Sequence, residues 1–107
     1  MVKPKSSCPA EATLSIITGR WKLMIIHYLL KRTQRFNELQ RQLGGITHRT
    51  LAKTLKEMES DLLLVRHDHR EVPPRVEYSL TDRGASLESI LVAMENWAEL
   101  NAESDLK

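Results

Sequence analysis

A chain of 107 residues with 16 Lys/Arg against 14 Asp/Glu, four histidines and one cysteine has room for one modest core, at a size where a second copy would add to stability. It has no apolar run long enough for a membrane span, no secretory leader pattern at its first residues and too few thiols for an intrachain disulfide or a zinc ribbon. The expectation is a cytoplasmic protein with no membrane partner, no cofactor and no metal. The net charge of +2 decides little, but residues 31–75 hold ten Lys/Arg and six acids whereas residues 76–107 hold two and seven, so the middle can sit on a polyanion while the end stays clear of it.

Residues 1–7, with Lys3, Pro4, Lys5 and two serines, show no periodicity and read as a loose arm. Pro9 suits the first position of a helix, where its missing N–H costs nothing; Leu14 and Ile17 give a short apolar stripe before Gly19 ends it. Trp21, Met24, Ile25, Tyr28 and Leu29 recur at three- and four-residue spacing, which predicts a second helix central to the core. Trp21 and Tyr28 belong to that core, although they could also line a small effector cavity. Residues 31–35 read as a polar connection. Phe36, Leu39 and Leu43 then define a third helix with Asn37 and Glu38 at its start, and Gly44-Gly45 stops it. Thr47 caps a fourth helix that carries Leu51, Leu55 and Met58 on one side and Arg49, Thr50, Lys53, Thr54 and Lys56 around the rest.

From Leu63 to Arg70 the spacing turns strand-like, and Val76, Tyr78 and Leu80 alternate with Arg75, Glu77 and Ser79. The two strands form a hairpin whose tip, Glu71 to Pro74, holds two prolines that cannot join a ladder. Thr81 or Asp82 caps a final helix with a long stripe of Leu87, Ile90, Leu91, Met94, Trp97 and Ala98. The fold class is α+β, mostly helical: a winged helix-turn-helix with an added C-terminal dimerisation helix. The layout is an arm over 1–7, one domain over 8–101 with dimerisation helices at both ends, and a tail over 102–107.

A helix offered to a major groove reads bases with its first turns, so the candidate readers are Thr47, His48, Arg49, Thr50, Lys53 and Thr54. Arg49 is foremost, because a guanidinium can make two hydrogen bonds to guanine. Thr33, Gln34, Arg35, Asn37 and Lys56 are placed beside the reader for phosphates, and Arg70 and Arg75 flank the wing tip. An ordinary solvated face is the alternative, and the hairpin and double-glycine turn tell against it. His67 and His69 share a strand face, but two histidines without further ligands make no metal site. The apolar stripe of the last helix, with Leu14 of the first, suggests a twofold contact through Leu14, Leu87, Ile90, Leu91, Met94 and Trp97, unless the helix folds back on its own core. Cys8 falls at the first turn of helix one, where helix N-termini favour a thiolate, and any disulfide it made would join two chains or a small thiol. An inert small side chain is the alternative there.

Several stretches of this order resemble the HxlR family of bacterial winged helix-turn-helix transcriptional regulators: Cys8-Pro9-Ala10-Glu11-Ala12-Thr13-Leu14, Gly19-Arg20-Trp21-Lys22, Arg35-Phe36-Asn37-Glu38-Leu39, Leu51 through Leu55 to Glu59, and Val72 through Thr81. The resemblance implies a homodimer built from the terminal helices, double-stranded operator DNA bound through helix four and the wing, and, in some members, sensing of electrophiles or oxidants at the N-terminal cysteine. The chain departs from the family pattern at Asp61-Leu62, where a glycine is usual, so helix four is expected to run on or close differently. His48/Arg49 and His67/His69 also depart from it, which bears on the operator sequence. The expected function is a non-enzymatic, sequence-specific regulator binding a pseudo-palindromic operator, with its effector unspecified. A winged-helix protein-interaction module is the alternative.

Overall fold

The computed structural model describes residues 8–102. The expected arm and residues 103–107 of the expected tail lie outside the described residues. Helix α1 spans Pro9–Ile17 with Cys8 as N-cap and Pro9 at its first position. Helix α2, Lys22–Leu29, is the centre of the molecule: Ile25 and Ile26 are fully buried and Leu29 nearly so. Helix α3, Phe36–Leu43, turns Leu39 and Leu43 inward, and α4, His48–Ser60, does the same with Leu51, Leu55 and Met58. Together with Ile46, Leu63, Leu64 and Tyr78 these side chains form one continuous core.

The supposed connection over 31–35 contains a short strand. Gln34–Arg35 form β1, which pairs antiparallel with β3, Val76–Leu80, while β2, Leu64–Asp68, pairs with the other edge of β3. The register sets Gln34 opposite Tyr78 and Arg66 opposite Tyr78 on the other side, so the inner face of the sheet carries Leu64, Arg66, Tyr78 and Leu80. Val65, His67, Glu77 and Ser79 lie on the outer face. There His67 Nε2 lies 3.0 Å from the Ser79 hydroxyl and His69 Nε2 lies 2.7 Å from Glu77 Oε1.

The end of α4 corrects the reading of Leu62. Although not a glycine, Leu62 adopts the left-handed conformation that a glycine would take, with φ of 63°, and the Leu63 N–H reaches back to the Met58 carbonyl at 2.9 Å. The helix therefore closes in the usual Schellman manner. What holds the strained turn is the start of a distant element, α5, Asp82–Ala85, which follows β3. Thr81 donates its hydroxyl to the Leu62 carbonyl at 2.6 Å and its N–H to the Leu63 carbonyl at 3.1 Å, and Arg83 Nε donates to the Asp61 carbonyl at 3.1 Å. A left-handed leucine costs about 1–2 kcal/mol, and glycine would return about 0.5–1 kcal/mol of that as unfolded-chain entropy. With Leu62 67% exposed, little burial is lost, so Leu62→Gly is expected to raise Tm by about 2–6 °C, as read by calorimetry. A fall in Tm would mean that the turn is not strained.

The expected single final helix is two. Thr81 caps only the one-turn α5, and the chain bends at Ser86-Leu87 before α6, Glu88–Leu100. The bend follows from the anchoring: α5 is aimed by its bonds to the α4–β2 turn, while α6 must lie along α2. Among the described residues, no helix is long and apolar enough to cross a membrane.

Candidate nucleic-acid interface

The turn that presents α4 depends on backbone that only glycine adopts freely: Gly44 and Gly45 have φ of 56° and 87°. Thr47 then caps α4 by accepting the Thr50 N–H at 3.1 Å, and its hydroxyl lies 2.9 Å from that of Thr50. Thr47, His48, Arg49, Thr50 and Lys53 are all exposed. The cation side of the leading turns thus faces outward, clear of the hairpin. The His48 ring packs on Phe36 of α3 with centroids 4.5 Å apart, which ties the first residue of α4 to the preceding helix.

Two of the expected contact residues are removed by the structure. Thr54 is 9% exposed and its hydroxyl donates to the Thr50 carbonyl at 2.8 Å, because its place on α4 turns it toward the core beside Leu51 and Leu55. Gln34 is 2% exposed; its amide donates to the Tyr28 carbonyl at 2.8 Å and its carbonyl oxygen accepts from the Gln42 amide. Gln34 therefore joins the end of α2 to β1 and α3 and is not available to a phosphate. Arg75 is also largely engaged: Nη2 donates to Glu71 Oε2 at 3.0 Å within the wing tip. The outward wing arginine is Arg70, exposed, with its N–H on Asp68 Oδ1 at 2.9 Å.

Sequence reasoning missed three cations. Arg32 and Arg41 line one polar cavity with Thr33, Arg35, Asn37, Glu38 and Glu77, about 460 Å³ in volume, at the start of α3. Arg66 shares a cleft of about 410 Å³ with Lys56 and Glu59 between α4 and the sheet. Strand alternation from buried Leu64 does signal that Arg66 faces α4; nothing in the spacing signals Arg41.

Glu38 organises the first of these cavities. It accepts the Arg35 backbone N–H at 2.8 Å and lies 3.5 Å from Arg32 Nη1. The backbone hydrogen bond from Arg35 outweighs the opposing effect of burial and, with the Arg32 charge adding to it, holds the carboxyl below the ordinary carboxylate range. A lowered folded-state value stabilises the fold above the unfolded pKa, and that contribution is lost as pH falls through the folded one. Glu38→Gln should therefore lower stability at neutral pH but leave it close to the parent in strong acid, as a urea midpoint series across pH would report. Equal losses at every pH would contradict the assignment.

Apolar side chains are exposed on α1 and α6, where Leu14 is 58%, Met94 49%, Trp97 61% and Leu100 80% exposed, and also at Leu62 and at Val72 of the wing tip. Leu91 is 9% exposed and Leu87 packs against the core, so these two expected interface residues are taken up by the protomer itself. Leu91 faces α2, Leu87 lies beside Ile16 and Leu63, and Ile90 is half-buried.

Residues 16–106 match the HxlR-like helix-turn-helix family. The chain belongs to that family. It is 41% identical over 99 residues to the uncharacterized HTH-type transcriptional regulator YybR of Bacillus subtilis, spanning 92% of this chain and 79% of that protein. Among solved structures it is similar to the redox regulator HypR in its reduced form, with a TM-score of 0.85 and 41% identity over 90% of this chain and 95% of that one. It is similar also to the reduced form of the transcriptional regulator YodB from B. subtilis, with a TM-score of 0.80 and 33% identity over 92% and 97%. The HxlR-like assignment agrees with the winged helix-turn-helix built above from the residues. The protein is thus a helix-turn-helix transcriptional regulator that acts on DNA, a reading favoured over that of a protein-interaction module.

Proposed function

We propose that the regulator acts as a homodimer on a pseudo-palindromic operator, each protomer reading one half-site with Arg49, His48, Thr50 and Lys53 and gripping the backbone with Lys56, Arg35, Thr33, Asn37 and Arg70. The observation that carries this reading is the exposed cationic leading half of α4, with its acids Glu57 and Glu59 at the far end. Arg66, beside Lys56, adds a phosphate contact between helix and wing. A cytoplasmic location and the absence of catalysis accompany the regulator reading.

The dimer is supported by the uncovered apolar side chains of α1 and α6. Trp97→Glu places a charge at their centre. It should weaken self-association about 30-fold or more, read as a shift to monomer in sedimentation at micromolar protein, with an unchanged circular dichroism spectrum. A parent protein that sediments as a monomer, or a variant that stays dimeric, would defeat this arrangement. Cys8 is exposed at the N-cap of α1, on the helix assigned to the contact, and HypR is described as a redox regulator; both support a thiol response. Selection from a random DNA pool, with and without oxidant, tests the reading. The expected outcome is an inverted repeat with half-site centres about 10 base pairs apart or a multiple of that, enriched less after oxidation. A pool that stays random overturns it.

A further inference from the structure

Between α2 and α6 lies a cavity of about 230 Å³ lined by Leu23, Met24, His27, Tyr28, Leu91 and Glu95. Its wall is mostly apolar, and its polar groups converge on one side. His27 Nδ1 stands 3.7 Å from Glu95 Oε2, and the His27 and Tyr28 rings meet edge to face at 5.2 Å. Few polar groups on an apolar wall is the pattern of a small-molecule site. Tyr28 is here; Trp21, which the sequence pairs with it as a possible lining residue, is not.

We propose that this cavity is an effector site for a small aromatic molecule carrying an ammonium group. The ring would lie among Leu23, Met24 and Leu91, with the Met24 thioether against its edge. The charge is fixed by Glu95. That carboxylate stands at the mouth, and Glu88 and Glu99 follow on the same flank of α6, since residues three, four and seven apart share a helix face. An anionic ligand would meet the Glu95 carboxylate in the wall, with Glu88 and Glu99 adding to the negative field from outside it. The Lys31 ammonium already lies 5.8 Å from the Tyr28 ring centroid, which assigns the ligand's cation to Glu95 and not to that ring.

The site also stays open in the proposed dimer. At about 100° per residue, Glu95 falls on one side of inward-facing Leu91, while Met94 and Trp97 fall on the other. Occupancy would bear on the reader, because α2 is the helix on which α6 rests and also packs against α3 and β3. The effector role rests on the DNA-binding reading; the binding does not.

Amide spectra of the full chain titrated with 2-phenylethylamine, with 2-phenylethanol and phenylacetate as neutral and anionic counterparts, test the site. The amine is expected to give saturable shifts confined to residues 23–28 and 88–95, to bind more tightly than the alcohol, and to leave phenylacetate unbound. Glu95→Gln should weaken the amine by about 3- to 5-fold and leave the alcohol unchanged. Amine and phenylacetate binding alike, shifts elsewhere, or no shifts overturn the site. Against DNA enriched from the random pool, the amine at saturation should change affinity; unchanged affinity overturns the effector role. If no DNA is enriched while the amine binds as expected, the site stands and the operator reading alone fails.

Discussion

Gly84→Ala is expected to be the most damaging single methyl group that can be added to this protein. A Cβ at Gly84 would sit 2.0 Å from the Leu63 carbonyl oxygen and 3.2 Å from Leu80 Cδ2. The first of these is backbone that also accepts the Thr81 N–H, so no side-chain rotation relieves the clash. Either α5 lifts away or the α4–β2 turn moves. Overpacking of this kind costs about 3 kcal/mol at its upper range, and alanine's better helix propensity returns about 1 kcal/mol. The net loss of about 2 kcal/mol corresponds to a fall of about 8–16 °C in Tm. Ala85→Ser, one residue on and exposed, serves as the control and should stay within a degree or two. A Gly84→Ala protein that melts with the parent would mean that α5 does not approach the turn as described.

The second large effect concerns recognition. Arg49→Ala is expected to remove discrimination at one base pair of each half-site, worth about 1–3 kcal/mol, or about 5- to 150-fold between preferred and mismatched DNA. Lys56→Ala should instead weaken preferred and random duplexes alike and reduce the slope of log affinity against log salt by about 1. The two side chains lie on the same helix, so a change of fold would affect both in the same way. Fluorescence titrations of both variants on both DNAs at two or more salt concentrations separate the roles. If Arg49→Ala leaves the preference intact, or Lys56→Ala abolishes it, the division between base reading and backbone grip fails.

The parts of the fold legible in the sequence were those written in local periodicity and turn chemistry. Thr47 three residues before Thr50, two glycines at the end of α3, and the alternation of Val76, Tyr78 and Leu80 each fix an element through near neighbours, and each stands where the pattern put it. Polar residues engaged across the fold were not legible in that way. Gln34 is buried because it meets the carbonyl of Tyr28 and the amide of Gln42, and nothing in a run of five polar residues announces such a contact. Thr54 lies at the border of the apolar face of α4, where a hydroxyl that bonds back to the preceding turn can be buried at little cost.

Leu62 and the last helix show the same limit from the backbone side. A leucine at a position where glycine is usual predicts a different ending, yet Thr81 and Arg83, some twenty residues further on, hold the carbonyls of that turn in place. Tertiary hydrogen bonds override the local preference. The stripe from Leu87 to Ala98 is continuous in sequence, but it serves two surfaces: Leu87 and Leu91 pack inward, whereas Met94 and Trp97 remain exposed. Periodicity reports that a face is apolar, not what covers it. For the interface, residue type picked out Arg49 and Lys53, while Arg32 and Arg41 share one cavity and Arg66 joins Lys56 in another, each beside a strand of the sheet that the spacing of these arginines does not announce.

The central claim is that the leading turns of α4 meet DNA. It is tested most directly by following backbone amides of the protein as a duplex enriched from the random pool is added at low salt. The account predicts that the largest shifts cluster at residues 47–56, with a second group at 66–75 in β2 and the wing and a smaller one at 32–41. Shifts concentrated on α1 or α6, with residues 47–56 unmoved, would contradict it.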